Sequence, residues 1–467
     1  MSDIPVDAVL ALLAASQPQA EARLIDLLRI PSVSAQSAHA DDCVRAGQLL
    51  SDRLTGLGFV SRLVPTDGHP VVLAHHAGAG PEAPHLLYYG HYDVQPADPL
   101  ALWHSPPFEP VVVDGPHGRR VVARGAVDDK GQLSMWIEAF AAWVAATGSL
   151  PVRVTAIIEG EEEIGSPSLE AFLDAHRAEL ASDAAVISDT NMWDVTTPAI
   201  TTRLRGLVYT QIDIKAAARD LHSGLFGGSA LNPITLLSRV LGDLHDDGGR
   251  VQIPGFYDDV LPPAPEEIAA WRALGFDEAA FLAQIGLRTP AGETGFGALD
   301  RLWARPTAEP NGIWGGYVGE GAKTVIPAEA HAKLSFRLVP GQKPQAVLDS
   351  LRRFLADRLP PDVQFEIQNF GASPAFAMDF ASPVMDAARR ALAAQFGKPS
   401  VFVGSGGSIP VVEQLKRVVG VDSLMMGFGL DDDQIHSPNE KFELCCFHNG
   451  TQAHARLLGE LAKLQGG

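Results

Sequence analysis

The sequence predicts an α/β protein built on a mostly parallel sheet, with a smaller α+β domain inserted into it. Three observations carry the prediction. Helical and strand-like segments alternate through the first two hundred or so residues, the pattern changes near Arg205-Gly206, and the alternation resumes from about Ser382.

In order along the chain, Leu24, Ile25, Leu27 and Leu28 recur at helical spacing after Pro18. A second helical pattern covers residues 42–57 and stops at Gly58. Short apolar runs follow at 71–74, 86–89, 152–158 and 184–187, with helical stretches at 131–146 and 168–180 between the later ones. Residues 111–123, folded around Asp114-Gly115-Pro116, read as an added hairpin. Past Gly206, Val208, Thr210, Ile212 and Ile214 alternate with other residues as in a half-buried strand, and a helix pattern follows Asn232-Pro233. Residues 253–265, rich in Pro and Asp, and 289–321, rich in Gly and Pro, read as long loops. Strands at 330–338 and 363–368 bracket a helix at 345–359. The expected domains are therefore 1–205 with 373–467, discontinuous, and 206–372 as the insert.

Composition bounds the function. Apolar residues make up 46% and charged residues 20%, which excludes a mainly disordered or coiled-coil protein. The formal net charge is −20, which argues against nucleic acid or an anionic membrane as the main partner, because both need a basic face. The cysteines, Cys43 and the adjacent Cys445-Cys446, can build no disulfide framework and lack zinc-knuckle spacing. No Lys or Arg precedes Arg23, so the apolar stretch 9–15 lacks the positive region of a signal peptide. Glu138 interrupts the best candidate for a membrane span, at 135–146. A cytoplasmic protein without nucleic-acid or membrane partners is the expectation.

Three apolar runs end in the same way. The first leads into Gly90-His91-Tyr92-Asp93, the second into Glu159-Gly160-Glu161-Glu162-Glu163, the third into Ser188-Asp189. Ligands of open α/β sheets collect beyond the carboxyl ends of the strands, so these residues should converge. A fourth cluster, Asp128-Asp129-Lys130-Gly131, sits just before a helix. Taken singly each has a plainer reading. Asp93 could orient a surface His91, the glutamate run could be a solvated helix start, Asp128-Asp129 could be a helix cap, and Asp189 could be a turn residue. Together they place histidines and many carboxylates at one sheet edge, where repulsion is costly without a cation. Mixed nitrogen and oxygen donors suit zinc or manganese, whereas calcium would want oxygen only.

These stretches, with Arg124-Gly125-Ala126-Val127-Asp128-Asp129-Lys130-Gly131, resemble the di-zinc peptidase family of aminoacylase, glutamate carboxypeptidase and carnosinase. Asp220-Leu221-His222-Ser223-Gly224-Leu225-Phe226-Gly227-Gly228, Lys323-Thr324-Val325-Ile326-Pro327, Ser335-Phe336-Arg337-Leu338-Val339-Pro340 and His436-Ser437-Pro438-Asn439-Glu440-Lys441 narrow the resemblance to the carnosinase and cytosolic non-specific dipeptidase branch. It implies a catalytic domain carrying two divalent ions, expected to be Zn2+, with Mn2+ or Co2+ accepted by the same donors. By resemblance, His91 and Asp189 hold one ion, Glu163 and His436 the other, and Asp128 bridges them. Asp93 corresponds to the carboxylate that fixes the His91 tautomer, and Glu162 to the catalytic glutamate.

The resemblance also makes the insert a lid and dimerisation domain. His222, alone readable as a loop histidine, corresponds to one delivered from the partner subunit of a homodimer to steady an oxyanion. Arg337, alone equally a sheet-face ion pair, corresponds to the clamp on the substrate's free carboxylate. Thr324 and Ser408, the latter in the loop Gly404-Ser405-Gly406-Gly407-Ser408-Ile409-Pro410, complete the substrate set. The activity implied is hydrolysis of a dipeptide or other short peptide. An N-acyl amino acid deacylase, a carboxypeptidase, or an inactive peptide-binding relative are the alternatives.

Overall fold

In a computed structural model the chain is described over residues 5–378, 382–407 and 409–464. It divides into two compact units, one of Met1–Thr202, Met378–Val403 and Pro410–Gly467, the other of Arg203–Ala377 and Gly404–Ile409.

The first unit is organised by a sheet whose middle is parallel. Arg153–Glu159 and Ala184–Ile187 flank His85–His91, and Ser423–Met425 follows beyond Ala184–Ile187. These strands are buried almost end to end, which is why they are written as unbroken apolar runs. Outside them the pairing turns antiparallel: Val60–Val64 pairs with Val71–His76, which pairs with Arg153–Glu159. The connection between Val64 and Val71 is too short for the crossover that a parallel return requires.

Helix Lys130–Thr147 sets Trp136 and Phe140 against Tyr88, with ring centroids 5.3 and 5.1 Å away. Nearly every residue of its first three turns is buried, the polar Lys130, Gln132, Ser134 and Glu138 among them. Helix Leu444–Leu461 packs on it, and Trp143 Nε1 donates to the Ala455 carbonyl at 3.0 Å. The 111–123 segment is a hairpin of Val111–Gly115 and Gly118–Val122. The helical stretch expected at 168–180 is split into Leu169–Ala175 and Arg177–Leu180.

The second unit is a four-stranded antiparallel sheet in the order Thr307–Gly315, Glu329–Leu338, Gly206–Lys215, Gln364–Ser373. Burial alternates along the two middle strands. Helices Pro233–Gly242 and Pro344–Arg358 cover the buried face, placing Leu237, Val240, Leu351 and Phe354 among Val208, Ile212, Leu334 and Phe336. Asn232 Oδ1 accepts the Ile234 N–H at 3.0 Å and so starts the first of these helices where Pro233 can follow.

Residues 253–264 form a loop without helix or strand, but 289–321 do not form one long loop. That segment contains helix Ala298–Trp303 and the edge strand Thr307–Gly315. Pro310 and Gly312 flank a register shift in this strand, and an edge is where a sheet tolerates them, so composition hid the strand. Two further helices, Pro265–Ala273 and Glu278–Gln284, also lacked a legible pattern. The first is tied down by a buried bidentate pair between Arg203 and Glu267, at 2.8 and 2.9 Å. Among the described residues no helix is long and apolar enough to cross a membrane.

Candidate metal centre

Parallel pairing fixes where the strands end. His91 lies level with Glu159, and Tyr89 lies level with Ile187, which puts Asp189 at the same sheet edge. The turn 124–129 precedes helix Lys130–Thr147, and the turn after Glu159 carries Glu162 and Glu163. The loop before strand Lys441–Glu443 carries His436.

Among the described residues, two groups of possible ligand atoms result. His91, Asp128 and Asp189 offer atoms all within 4.8 Å of one another, and so do Asp128, Glu163 and His436. Asp128 faces both ways. Its Oδ1 lies 3.2 Å from His91 Nε2, and its Oδ2 lies 3.0 Å from His436 Nε2. Glu163 Oε2 is 3.1 Å from His436 Nε2, and Asp189 Oδ2 is 3.8 Å from His91 Nε2. His91 Nε2 is fully buried, yet its contacts with these carboxylates lack hydrogen-bond geometry. A buried ring nitrogen converging with carboxylate oxygens, and bonded to none, fits a cation better than a proton. The donor set of imidazole and carboxylate fits a divalent transition ion at each position.

Surrounding groups hold these ligands in place. His91 Nδ1 is 3.1 Å from the Asp93 carbonyl and 3.4 Å from Asp93 Oδ1, which leaves Nε2 to face the cluster. Asp93 also accepts the N–H groups of Glu162 and Glu163 at 3.2 and 3.1 Å, and the Ser34 hydroxyl at 2.6 Å. One buried carboxylate thus orients the histidine and anchors the glutamate turn. Gln95 Nε2 donates to Glu163 Oε2 at 2.9 Å, and Asp129 Oδ2 accepts the His91 N–H at 3.1 Å. The Ser188 hydroxyl, next to Asp189, is 3.0 Å from the buried His454 Nε2. Glu161, a member of the acidic run, is buried and accepts N–H groups from His69 and Ser168 at 3.0 and 3.2 Å.

Burial and mutual repulsion shape the protonation of the cluster without a cation. Burial holds Glu162 well above the usual carboxylate range, with repulsion from Asp189 and Asp128 adding to it. Burial, then Asp128, pushes Asp189 up to about 7. The carboxylates of Asp128 and Glu163 push His436 up to about 10. Burial works to lower His91 and to raise Asp128, but in each case the attraction between imidazole and carboxylate wins, leaving His91 raised and Asp128 lowered.

Of the remaining predicted site residues, His222, Thr324 and Arg337 lie in the second unit. His222 pairs with Val325 in a two-residue ladder, and the Ser223 N–H donates to the Thr324 carbonyl at 3.1 Å, so His222 and Thr324 are neighbours. The His222 Nδ1 accepts the Gly224 N–H at 3.0 Å, which caps the short helix Ser223–Phe226. Arg337, on strand Glu329–Leu338, is half-buried and has no carboxylate partner among the described residues. Ser408 lies outside the described residues.

Sequence reasoning gave no role to Gln95, Ser34, His454 or Glu440. The first three belong to no motif, whereas Glu440 lies within the motif 436–441, of which only His436 is a metal-ligand type with an expected role.

A parallel-sheet unit with these two donor groups at its strand ends is the framework of a metal-dependent hydrolase. The chain belongs to peptidase family M20/M25/M40, whose pattern matches residues 87–460. It is 34% identical over 402 residues to the Beta-Ala-His dipeptidase of Homo sapiens, covering 85% of this chain and 78% of that one. It is 30% identical over 461 residues to the Cys-Gly metallodipeptidase DUG1 of Saccharomyces cerevisiae, covering 95% of each. The M20 family metallo-carboxypeptidase Sso-CP2 of Sulfolobus solfataricus superposes with a TM-score of 0.83 at 29% identity, over 95% of this chain and 99% of that one.

Proposed function

We propose that the protein is a two-metal dipeptidase that hydrolyses short peptides bearing a free C-terminal carboxylate. The observation that carries this reading is Asp128, whose two oxygens face two different donor groups at 3.2 and 3.0 Å. A carboxylate shared in this way offsets the repulsion between neighbouring dications. The dipeptidases among the relatives supply the substrate class.

His91, Asp128 and Asp189 would hold one ion, and Asp128, Glu163 and His436 the other, with Zn2+, Mn2+ or Co2+ all suited to the donors. When bound, such a pair polarises the scissile carbonyl and lowers the pKa of the attacking water. Glu162 takes the proton from that water on its carboxylate and returns it to the leaving amine nitrogen. Asp93 holds the turn that carries it, through the N–H groups of residues 162 and 163, and keeps the His91 ring aimed at the cluster. Arg337, Thr324 and Ser408 bind the substrate, the guanidinium of Arg337 taking its carboxylate. His222 acts from the partner subunit of a cytoplasmic homodimer formed through the second unit.

A deacylase or carboxypeptidase could use the same centre, and a carboxypeptidase is among the structural neighbours. Steady-state hydrolysis of β-Ala-His, Cys-Gly and other dipeptides, measured beside N-acyl amino acids with the metal defined, tests the choice. Dipeptides should give the higher kcat/KM. Faster cleavage of acylated amino acids would reject the dipeptidase reading.

A further inference from the structure

Glu440 lies four residues past His436, is fully buried, and uses both carboxylate oxygens. Oε2 accepts Arg124 Nη1 at 2.7 Å and the Gly125 N–H at 2.9 Å. Oε1 accepts the Val127 N–H at 3.0 Å and the Asp128 N–H at 3.2 Å. One side chain therefore gathers the whole turn that presents Asp128, and Arg124, itself buried, neutralises it.

The same residue fixes the other loop. The Glu440 carbonyl accepts the Ala123 N–H at 3.1 Å, and strand Lys441–Glu443 pairs with Gly118–Val122 directly after it. Upstream, the loop carrying His436 is closed where the Lys441 N–H meets the Asp433 carbonyl at 3.0 Å and Lys441 Nζ meets Asp433 Oδ1 at 2.6 Å. Within it, Gln434, His436 and Asn439 have φ of 58°, 61° and 65°. Non-glycine residues rarely adopt that conformation and keep it only where surrounding contacts enforce it.

We infer that Glu440 is a positioning residue that sets the separation of Asp128 from His436 and thereby builds the cation position shared by Asp128, Glu163 and His436. The inference rests on the two-metal reading above, and Glu440 touches neither substrate nor cation. An amide at this site cannot accept four hydrogen bonds at once, because its nitrogen donates. Glu440→Gln therefore repels one pair of donors and leaves Arg124 without its counter-charge.

The test is a titration of the metal-stripped full chain with Co2+, followed by its visible absorption bands, on proteins first shown to be folded by circular dichroism. Wild type should bind two Co2+. Glu440→Gln should bind the second roughly 10–100-fold more weakly and show altered bands, the usual size of effect for a group that orients ligands. Loss of general stability alone would leave affinity and bands unchanged in the folded protein. If Glu440→Gln does not fold, Glu440→Asp, which keeps the charge but is one methylene shorter, should show a roughly tenfold loss. A folded Glu440 variant with wild-type affinity and bands would overturn the inference while leaving the two-metal reading standing. A wild type that binds fewer than two Co2+ would overturn both.

Discussion

Replacing Glu162 with Gln exchanges one carboxylate oxygen for an amide nitrogen and changes little else. The turn it sits on is held by Asp93, through the N–H groups of residues 162 and 163 at 3.2 and 3.1 Å. It is closed by the Gly165 N–H on the Glu162 carbonyl at 2.9 Å and the Ser166 N–H on the Glu161 carbonyl at 2.8 Å. Glu163 is fixed separately, by Gln95 at 2.9 Å and His436 at 3.1 Å. None of these contacts uses the Glu162 carboxylate, so what the variant loses is a proton acceptor. General acid–base catalysis is worth roughly 10²–10⁴ in rate, or about 3–5 kcal/mol in the barrier. Steady-state hydrolysis of a cleaved dipeptide should therefore show kcat reduced by that factor with KM within about threefold of wild type. Elemental analysis should still find two metal ions per chain. A kcat within tenfold of wild type would refute Glu162 as the base, and loss of a metal ion would make it a ligand instead.

Metal binding should release protons, because His436, held up to about 10 without a cation, must lose its proton to coordinate. Affinity then weakens as pH falls below that value, and calorimetry in buffers of different protonation enthalpy should show net release; none would contradict the ligand role. Asp189, raised to about 7, keeps in the folded metal-free chain a proton that the unfolded chain gives up near its ordinary value. Its stabilising contribution is complete at low pH and lost as pH rises through about 7, so thermal melts should show a loss across that window that saturating Zn2+ removes. Gly131→Ala would bring a Cβ to 2.0 Å from the Ala126 carbonyl oxygen and 2.7 Å from Phe442, lowering stability by about 1–3 kcal/mol in chemical denaturation. A neutral result would show that the turn yields. Mixing Arg337→Ala with His222→Ala subunits should restore part of the activity each lacks, and mixed dimers without any restoration would show that His222 serves its own subunit.

How much could be read from the chain follows from where its polar residues fall. His91 ends a buried parallel strand, and Glu162, Glu163 and Asp189 follow two others, whose apolar runs stop abruptly at the sheet edge, so their meeting could be anticipated from pattern alone. His436 sits in a loop with φ of 61°, and no periodicity announces such a position; only the motif did. The roles of Gln95 and Glu440 depend on loops brought together by the packing of distant segments. Arg124 and Glu440, for instance, are 316 residues apart in the chain. The edge strand Thr307–Gly315 was hidden for a different reason. Its residues are mostly exposed and its Pro310 and Gly312 resemble loop composition, while its identity comes from pairing with Glu329–Leu338.

The most direct measurement is crystallographic: diffraction from zinc-loaded crystals on either side of the zinc absorption edge. Two anomalous peaks are expected roughly 3.5–4 Å apart, with Asp128 between them, one against His91 and Asp189 and the other against Glu163 and His436. A single peak, or two peaks that do not share Asp128, would contradict the two-metal reading.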